Sequence, residues 1–162
     1  MQTGKAGLPL RTITTVMMAL TGASLFIAFM LEDLSGLAPD QSAALSRMLV
    51  LRYILAMAIG GALAGWLLAG LFGRRGLRGW FLALLGGIVT ALIAGLLGSA
   101  VGLLPDLLAD GFSMGDLIAV AFGLLVFPLA LAGQPLLLAL WLILIGLTHL
   151  WARRARDLRR LS

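Results

Sequence analysis

Four long apolar stretches constrain the fold of this chain more than any other feature of its sequence. They cover residues 13–31, 53–73, 79–104 and 117–151, and none contains Asp, Glu, Lys or Arg. The hydrocarbon core of a bilayer is about 30 Å thick, so a helix needs roughly 20 apolar residues to cross it. The pattern therefore predicts an all-α polytopic transmembrane four-helix bundle, with residues 1–162 forming a single integral membrane domain.

Composition argues against a soluble protein. The chain is 61% hydrophobic and 12% charged, whereas soluble domains are nearer half apolar and about a quarter charged. Its net charge of +5 would suggest nucleic acid in a soluble protein, but here the arginines flank apolar stretches, where they meet anionic headgroups. We expect membrane lipids as partners and no nucleic acid. The absence of cysteine rules out disulfides, thiol chemistry and iron–sulfur ligation.

The sign of the charge alternates from loop to loop and predicts an orientation. One side of the membrane would hold ten basic residues, namely Lys5, Arg11, Arg74, Arg75, Arg78, Arg153, Arg154, Arg156, Arg159 and Arg160. Only Arg47 and Arg52 fall on the other side, together with six of the seven acids. The positive-inside rule then places both termini in the cytoplasm. A composition rich in Leu, Ala, Gly and Arg is typical of bacteria, so we expect the bacterial inner membrane.

The first stretch follows Lys5 and Arg11 and resembles the start of a secretory signal peptide. Its apolar run of about 19 residues is longer than a usual signal core, and no small-x-small cleavage site follows it. We therefore expect it to be retained as the first membrane span.

Small residues recur every four positions on the second and third predicted helices. They are Gly61, Gly65, Ala69 and Gly73 on helix two, and Gly87, Ala91, Gly95 and Ser99 on helix three. Small residues let membrane helices approach closely enough to pack. The two stripes predict a tightly packed antiparallel pair joined by the turn at 73–79. The alternative is that one stripe dimerises or docks a partner.

The last stretch is too long for a simple span. Its 35 residues would extend about 52 Å as one helix, and they include Pro128 and the break Gly133-Gln134-Pro135. A fifth span would place the basic tail outside, and a re-entrant segment would need protein around it. We favour a long last helix that is kinked or broken near 128–135, whose outer third packs on an extension of helix two or on another protein.

Few polar groups are candidates for chemistry. Pro39-Asp40 predicts that helix two begins near Gln41, which places Arg52 at the outer interface as an anchor or in an ion pair with Glu32 or Asp33. Gln134 at the predicted break is a possible polar site. The only histidine, His149, is expected at the interfacial end of the last helix, with a proton relay as the alternative. Solvated loop charges are expected at Asp106, Asp110 and Asp116.

No motif points to catalysis, a metal or a cofactor. The chain has no HExxH or GxSxG sequence, and its spans lack the ionisable residues that ion-coupled carriers and pumps generally need. We therefore expect no enzyme activity and no cofactor. The leading hypothesis is a non-catalytic accessory or scaffold subunit of a larger membrane complex, such as a transporter or energy-transducing assembly. Its partners would be other membrane protein subunits or the chain itself. The alternative is a small homo-oligomeric channel or transporter.

Overall fold

The structure is a computed structural model that describes residues 9–35 and 47–160, apart from the side chains of residues 33–35, 106, 110, 127 and 160. The described part is all-helical, as predicted. Five α-helices and a short 3₁₀ turn follow one another: α1 Leu10–Ser35, α2 Arg47–Leu67, the 3₁₀ turn Ala69–Leu71, α3 Gly76–Asp110, α4 Met114–Gly133 and α5 Pro135–Arg160. The predicted start of helix two near Gln41 lies outside the described residues.

Four helices are long and apolar enough to cross a membrane. They are Leu10–Glu32 in α1, Arg47–Leu67 in α2, Gly76–Pro105 in α3 and Pro135–Arg159 in α5. Their number confirms the prediction of four apolar helices, which is typical of a multi-pass membrane protein. The apolar part of α4, Met114–Val126, is shorter.

Glycines set the close packing of the first three helices. A Cβ on Gly61 would meet the carbonyl oxygen of Met18, and one on Gly22 would meet that of Met57, so α1 and α2 run antiparallel with their backbones in near contact. A Cβ on Gly98 of α3 would in turn meet the Met57 side chain. The backbone contacts at Gly61 and Gly22 need glycine, because any side chain there would force the helices apart.

The last apolar stretch forms two helices separated by Gln134, which has φ −122° and ψ 100°. Proline disfavours the helical conformation in the residue before it, so Pro135 accounts for the position of this break. Pro128 lies inside α4. The Gln134 amide still donates to the Ala130 carbonyl at 2.9 Å, and the Gln134 carbonyl accepts from Leu138 at 3.1 Å, so the interruption is local.

The bundle has two ends of different chemistry. The end at which α1 and α3 begin and α5 finishes carries Arg74, Arg75 and the arginines of the tail, and is here called the basic end. The opposite end, where α1 and α3 finish and α4 begins, carries Glu32 and Asp116 and is here called the acidic end. The core between them is apolar and includes Met18, Phe72 and Ile145.

Candidate functional site

The hairpin of α3 and α4 at the acidic end is the most prominent exposed apolar feature. The two helices pack against each other and are joined by the short turn 111–113, so they run antiparallel. A Cβ on Gly123 of α4 would collide with the Ser99 side chain and approach the Gly95 carbonyl oxygen of α3. α4 packs mainly against α3. Among the described residues, the surplus apolar segment predicted from the sequence has its main partner in α3. The predicted extension of helix two lies outside the described residues, so packing on it stays a prediction.

The length of α3 carries the hairpin beyond a bilayer core. Its 35 residues span about 52 Å. From Trp80 to Gly102 the helix rises about 33 Å, enough for a hydrocarbon core of about 30 Å. A core placed between Trp80 and Gly102 leaves the segment beyond Gly102 and the first turns of α4 outside it.

This projecting part of the hairpin is apolar and exposed. Its largest exposed apolar side chains are here called the exposed tip: Leu108, Phe112, Met114, Leu117 and Ile118. Large apolar surfaces that lie outside the lipid and lack a protein cover usually mark an interaction site.

A stripe of exposed side chains continues from the tip along α4. Ile118, Phe122, Leu125 and Leu129 are all exposed, and their spacing places them on one face of the helix. This face lies opposite Gly123, which contacts α3. The surface thus runs unbroken from the tip down the outer side of α4.

A capping box fixes the turn at the tip. The Ser113 hydroxyl accepts a hydrogen bond from the Asp116 amide at 3.3 Å. The Asp116 carboxylate accepts one hydrogen bond from the Ser113 hydroxyl at 2.6 Å and another from the Ser113 amide at 2.8 Å. These hydrogen bonds lower the pKa of Asp116, the side-chain bond more than the backbone bond. Gly111 completes the turn with φ 82°, a conformation that favours glycine.

The predicted small-residue stripes lie in helix contacts, but with different partners. Gly61 and Gly65 face the backbone of α1 at Met18 and Thr14 rather than α3. Ala69 is buried in the 3₁₀ turn. The contact between α2 and α3 instead uses Gly60, which faces the Cα of Ala94.

The α3 stripe faces the last two helices. A Cβ on Gly87 would meet the side chains of Ile145 and Trp141 of α5. Gly95 and Ser99 contact Gly123 of α4, and Ala91 is buried.

Arg52 binds α3 at the acidic end. Its guanidinium donates a 2.6 Å hydrogen bond to the Gly102 carbonyl, so the partner seen for this residue is a backbone group on α3. The hypothesis of an ion pair with Glu32 or Asp33 stays a prediction, and the Asp33 side chain lies outside those described. An ion pair joins Arg75 to Asp157 at 2.7 Å.

The helix break does not assemble a polar site among the described residues. The Gln134 side-chain oxygen is buried and accepts no hydrogen bond there. Gly133 has no side chain or distant backbone near its Cβ position, and Pro135 begins α5. A metal site is likewise missing from the described residues, which contain no group of three or more His, Asp or Glu able to hold an ion.

Sequence reasoning missed a contact network at the basic end. His149 is only 1% exposed; its Nδ1 accepts a 3.3 Å hydrogen bond from the Gly73 amide, and its ring lies 4.6 Å from that of Trp80. Arg156 donates to the carbonyls of Phe72 at 3.0 Å and Gly70 at 3.2 Å. The tail of α5 therefore holds the turn that follows α2. The pairing of Trp with His near helix ends was the only sequence signal for it.

Two buried hydroxyls inside the bundle adjoin only a small cavity. The hydroxyls of Thr21 and Thr90 bond to carbonyls of their own helices at 2.8 Å. The cavity between them has a volume of only about 10 Å³, which holds one water molecule at most.

Comparison with known proteins finds no family model that matches the chain, and no curated protein or solved structure that matches it significantly.

Proposed function

We propose that this chain is a non-catalytic subunit of a bacterial inner-membrane complex, with both termini in the cytoplasm, and that it binds an unlike membrane protein. The exposed tip and the outer face of α4 form the docking surface. The single observation that supports this proposal is the apolar surface of the hairpin beyond a bilayer core, from Leu108 to Ile118. With the bilayer core placed between Trp80 and Gly102, this surface lies beyond the lipid tails, and a protein partner would shield it from water.

Site-specific crosslinking tests the proposal. The natural chain has no cysteine, so a single cysteine carries a maleimide-linked photocrosslinker without background. Leu108→Cys places the probe on the tip, and Leu77→Cys is the matched control at the basic end, since the two side chains are 78% and 79% exposed. Irradiation of native membranes is expected to join Leu108→Cys, but not Leu77→Cys, to one discrete protein of different mass.

Two results would contradict the docking proposal. Equal or absent adducts at both positions would mean that the tip has no specific partner. An adduct of twice the chain's mass at Leu108→Cys would favour the alternative, a homo-oligomeric channel.

The same two variants test the orientation. A membrane-impermeant maleimide added to spheroplasts is expected to label Leu108→Cys, while Leu77→Cys should react only after the membrane is opened. The reverse labelling would overturn the proposed orientation without touching the docking proposal.

A further inference from the structure

An apolar groove runs between α1 and α5 at the basic end. Its volume is about 320 Å³, and it is lined by Ile13, Val16 and Met17 of α1 and by Trp151, Arg154 and Leu158 of α5. This volume falls in the range of about 300–1,000 Å³ that small-molecule sites occupy. The lining is apolar apart from Arg154 and one threonine, so the groove suits a hydrocarbon chain with one charged group at its end.

A second groove of about 310 Å³ adjoins the first and shares Arg154 and Leu158 with it. It adds Arg153 and Asp157. The Asp157 carboxylate forms an ion pair with Arg75 at 2.7 Å, so the remaining charge of the combined surface is the positive charge of Arg153 and Arg154. Its polar part therefore favours an anion.

Arg153 and Arg154 have guanidinium N–H groups that no other described residue accepts. Among the described residues neither Arg153 nor Arg154 donates a hydrogen bond to another residue, whereas Arg156 is engaged with carbonyls at Phe72 and Gly70. A guanidinium binds phosphate through paired, charge-assisted hydrogen bonds. Arg156 therefore stabilises the fold, whereas Arg153 and Arg154 face outward.

The arrangement of polar and apolar parts matches a lipid. Trp151 is an aromatic side chain of the kind that favours the headgroup layer. Arg154 and Leu158 continue α5 towards its C-terminal end, while Val16 and Met17 lead back along α1 into its apolar span. Basic pockets between membrane helices are known to take anionic headgroups.

We propose that this groove is a binding site for one anionic phospholipid. The phosphate binds Arg154, with Arg153 beside it, and an acyl chain lies along Ile13, Val16 and Trp151. The site is independent of the docking surface at the acidic end, on the other side of the bundle.

Native mass spectrometry of the full chain tests the site, with phosphatidylglycerol as the probe and phosphatidylcholine of the same chain length as its zwitterionic counterpart, which has no net charge. One molecule of phosphatidylglycerol is expected to bind per chain, and more tightly than phosphatidylcholine. Arg154→Gln should weaken it about tenfold, the loss that follows from a charge-assisted hydrogen bond of about 1.4 kcal/mol. Arg154→Lys should retain most of the preference, and Arg78→Gln, an exposed arginine at the same end, should leave it unchanged.

Two tryptophan substitutions test the binding of the acyl chain separately from that of the headgroup. Val16→Trp places an indole in the groove and should displace the lipid. Leu20→Trp is the matched control one turn further along α1, because the two side chains are 52% and 53% exposed and Leu20 does not line the groove.

Three results would overturn the proposal. These are equal binding of the two lipids, equal effects of Arg154→Gln and Arg78→Gln, and binding of glycerol phosphate as tight as that of phosphatidylglycerol. The last would show a phosphate site without a place for the acyl chain.

Discussion

The backbone amide of Gly73 donates a hydrogen bond to Nδ1 of His149, 76 positions further along the chain. Both groups are buried. An acceptor at Nδ1 means that a neutral ring carries its hydrogen on Nε2. The only histidine of the chain, expected at the interface, thus acts as an internal acceptor for a turn formed by other helices.

Replacement of that acceptor should destabilise the fold. His149→Leu leaves the buried Gly73 amide without a partner, which costs on the order of 1–3 kcal/mol. The check is the thermal unfolding temperature in detergent. Thr148→Val provides the control, since the Thr148 hydroxyl bonds only within its own helix, to the Leu144 carbonyl. Equal unfolding temperatures for the two variants would show that the bond to Gly73 contributes nothing.

Arg156 should matter for stability more than the exposed arginines do. Arg156→Gln removes the donors to the Phe72 and Gly70 carbonyls, and hydrogen bonds from a charged group contribute about 1.5–3 kcal/mol each. Unfolding temperatures measured in lipid-free detergent should fall for this variant and stay unchanged for Arg78→Gln. A matching fall in both would assign the effect to net charge rather than to the contacts.

A methyl group at Gly61 should drive α1 and α2 apart. The Cβ of Gly61→Ala would collide with the Met18 carbonyl oxygen, a backbone atom that cannot turn away. Overpacking of this kind costs typically 1–3 kcal/mol. Gly133→Ala is the matched control because no atom lies within 4 Å of its Cβ position. If both variants unfold at the wild-type temperature, the helices are not in near contact at Gly61.

Acid should loosen the start of α4. The Ser113 hydrogen bonds lower the pKa of Asp116, so the cap stabilises the helix above the ordinary carboxyl pKa of about 3.9 and loses this contribution as the pH falls through the lowered value. Hydrogen exchange of amides 114–118, corrected for intrinsic rate, should quicken below about pH 4. Ser113→Ala should exchange fast at every pH; an unchanged pH dependence in that variant would refute the role of the cap.

Structural features that depend on neighbouring residues were predictable from the sequence. Charge-free length predicted the four apolar helices, and the restriction that Pro135 places on Gln134 explains why α4 ends at Gly133. The continuation of α5 through the basic tail follows from the lack of any helix breaker there.

The pairing of helices was not predictable in the same way. The stripe of Gly61 and Gly65 signals a close neighbour without saying which helix it is, and the adjacent Gly60 gives α2 a second small face. The structure uses one face for α1 and the other for α3. No periodic pattern in the sequence indicates the contact of His149 with Gly73, because it joins segments from the middle and the end of the chain.

The bonds from α5 to the turn after α2 also set an order for biosynthesis. The carbonyls at Phe72 and Gly70 and the Gly73 amide are translated between the second and third helices, but their partners at His149 and Arg156 are translated last. Until the ribosome has delivered the final helix, these groups bind water or another protein instead. A chain that stops before α5 therefore leaves the turn after α2 without the side chains that hold it.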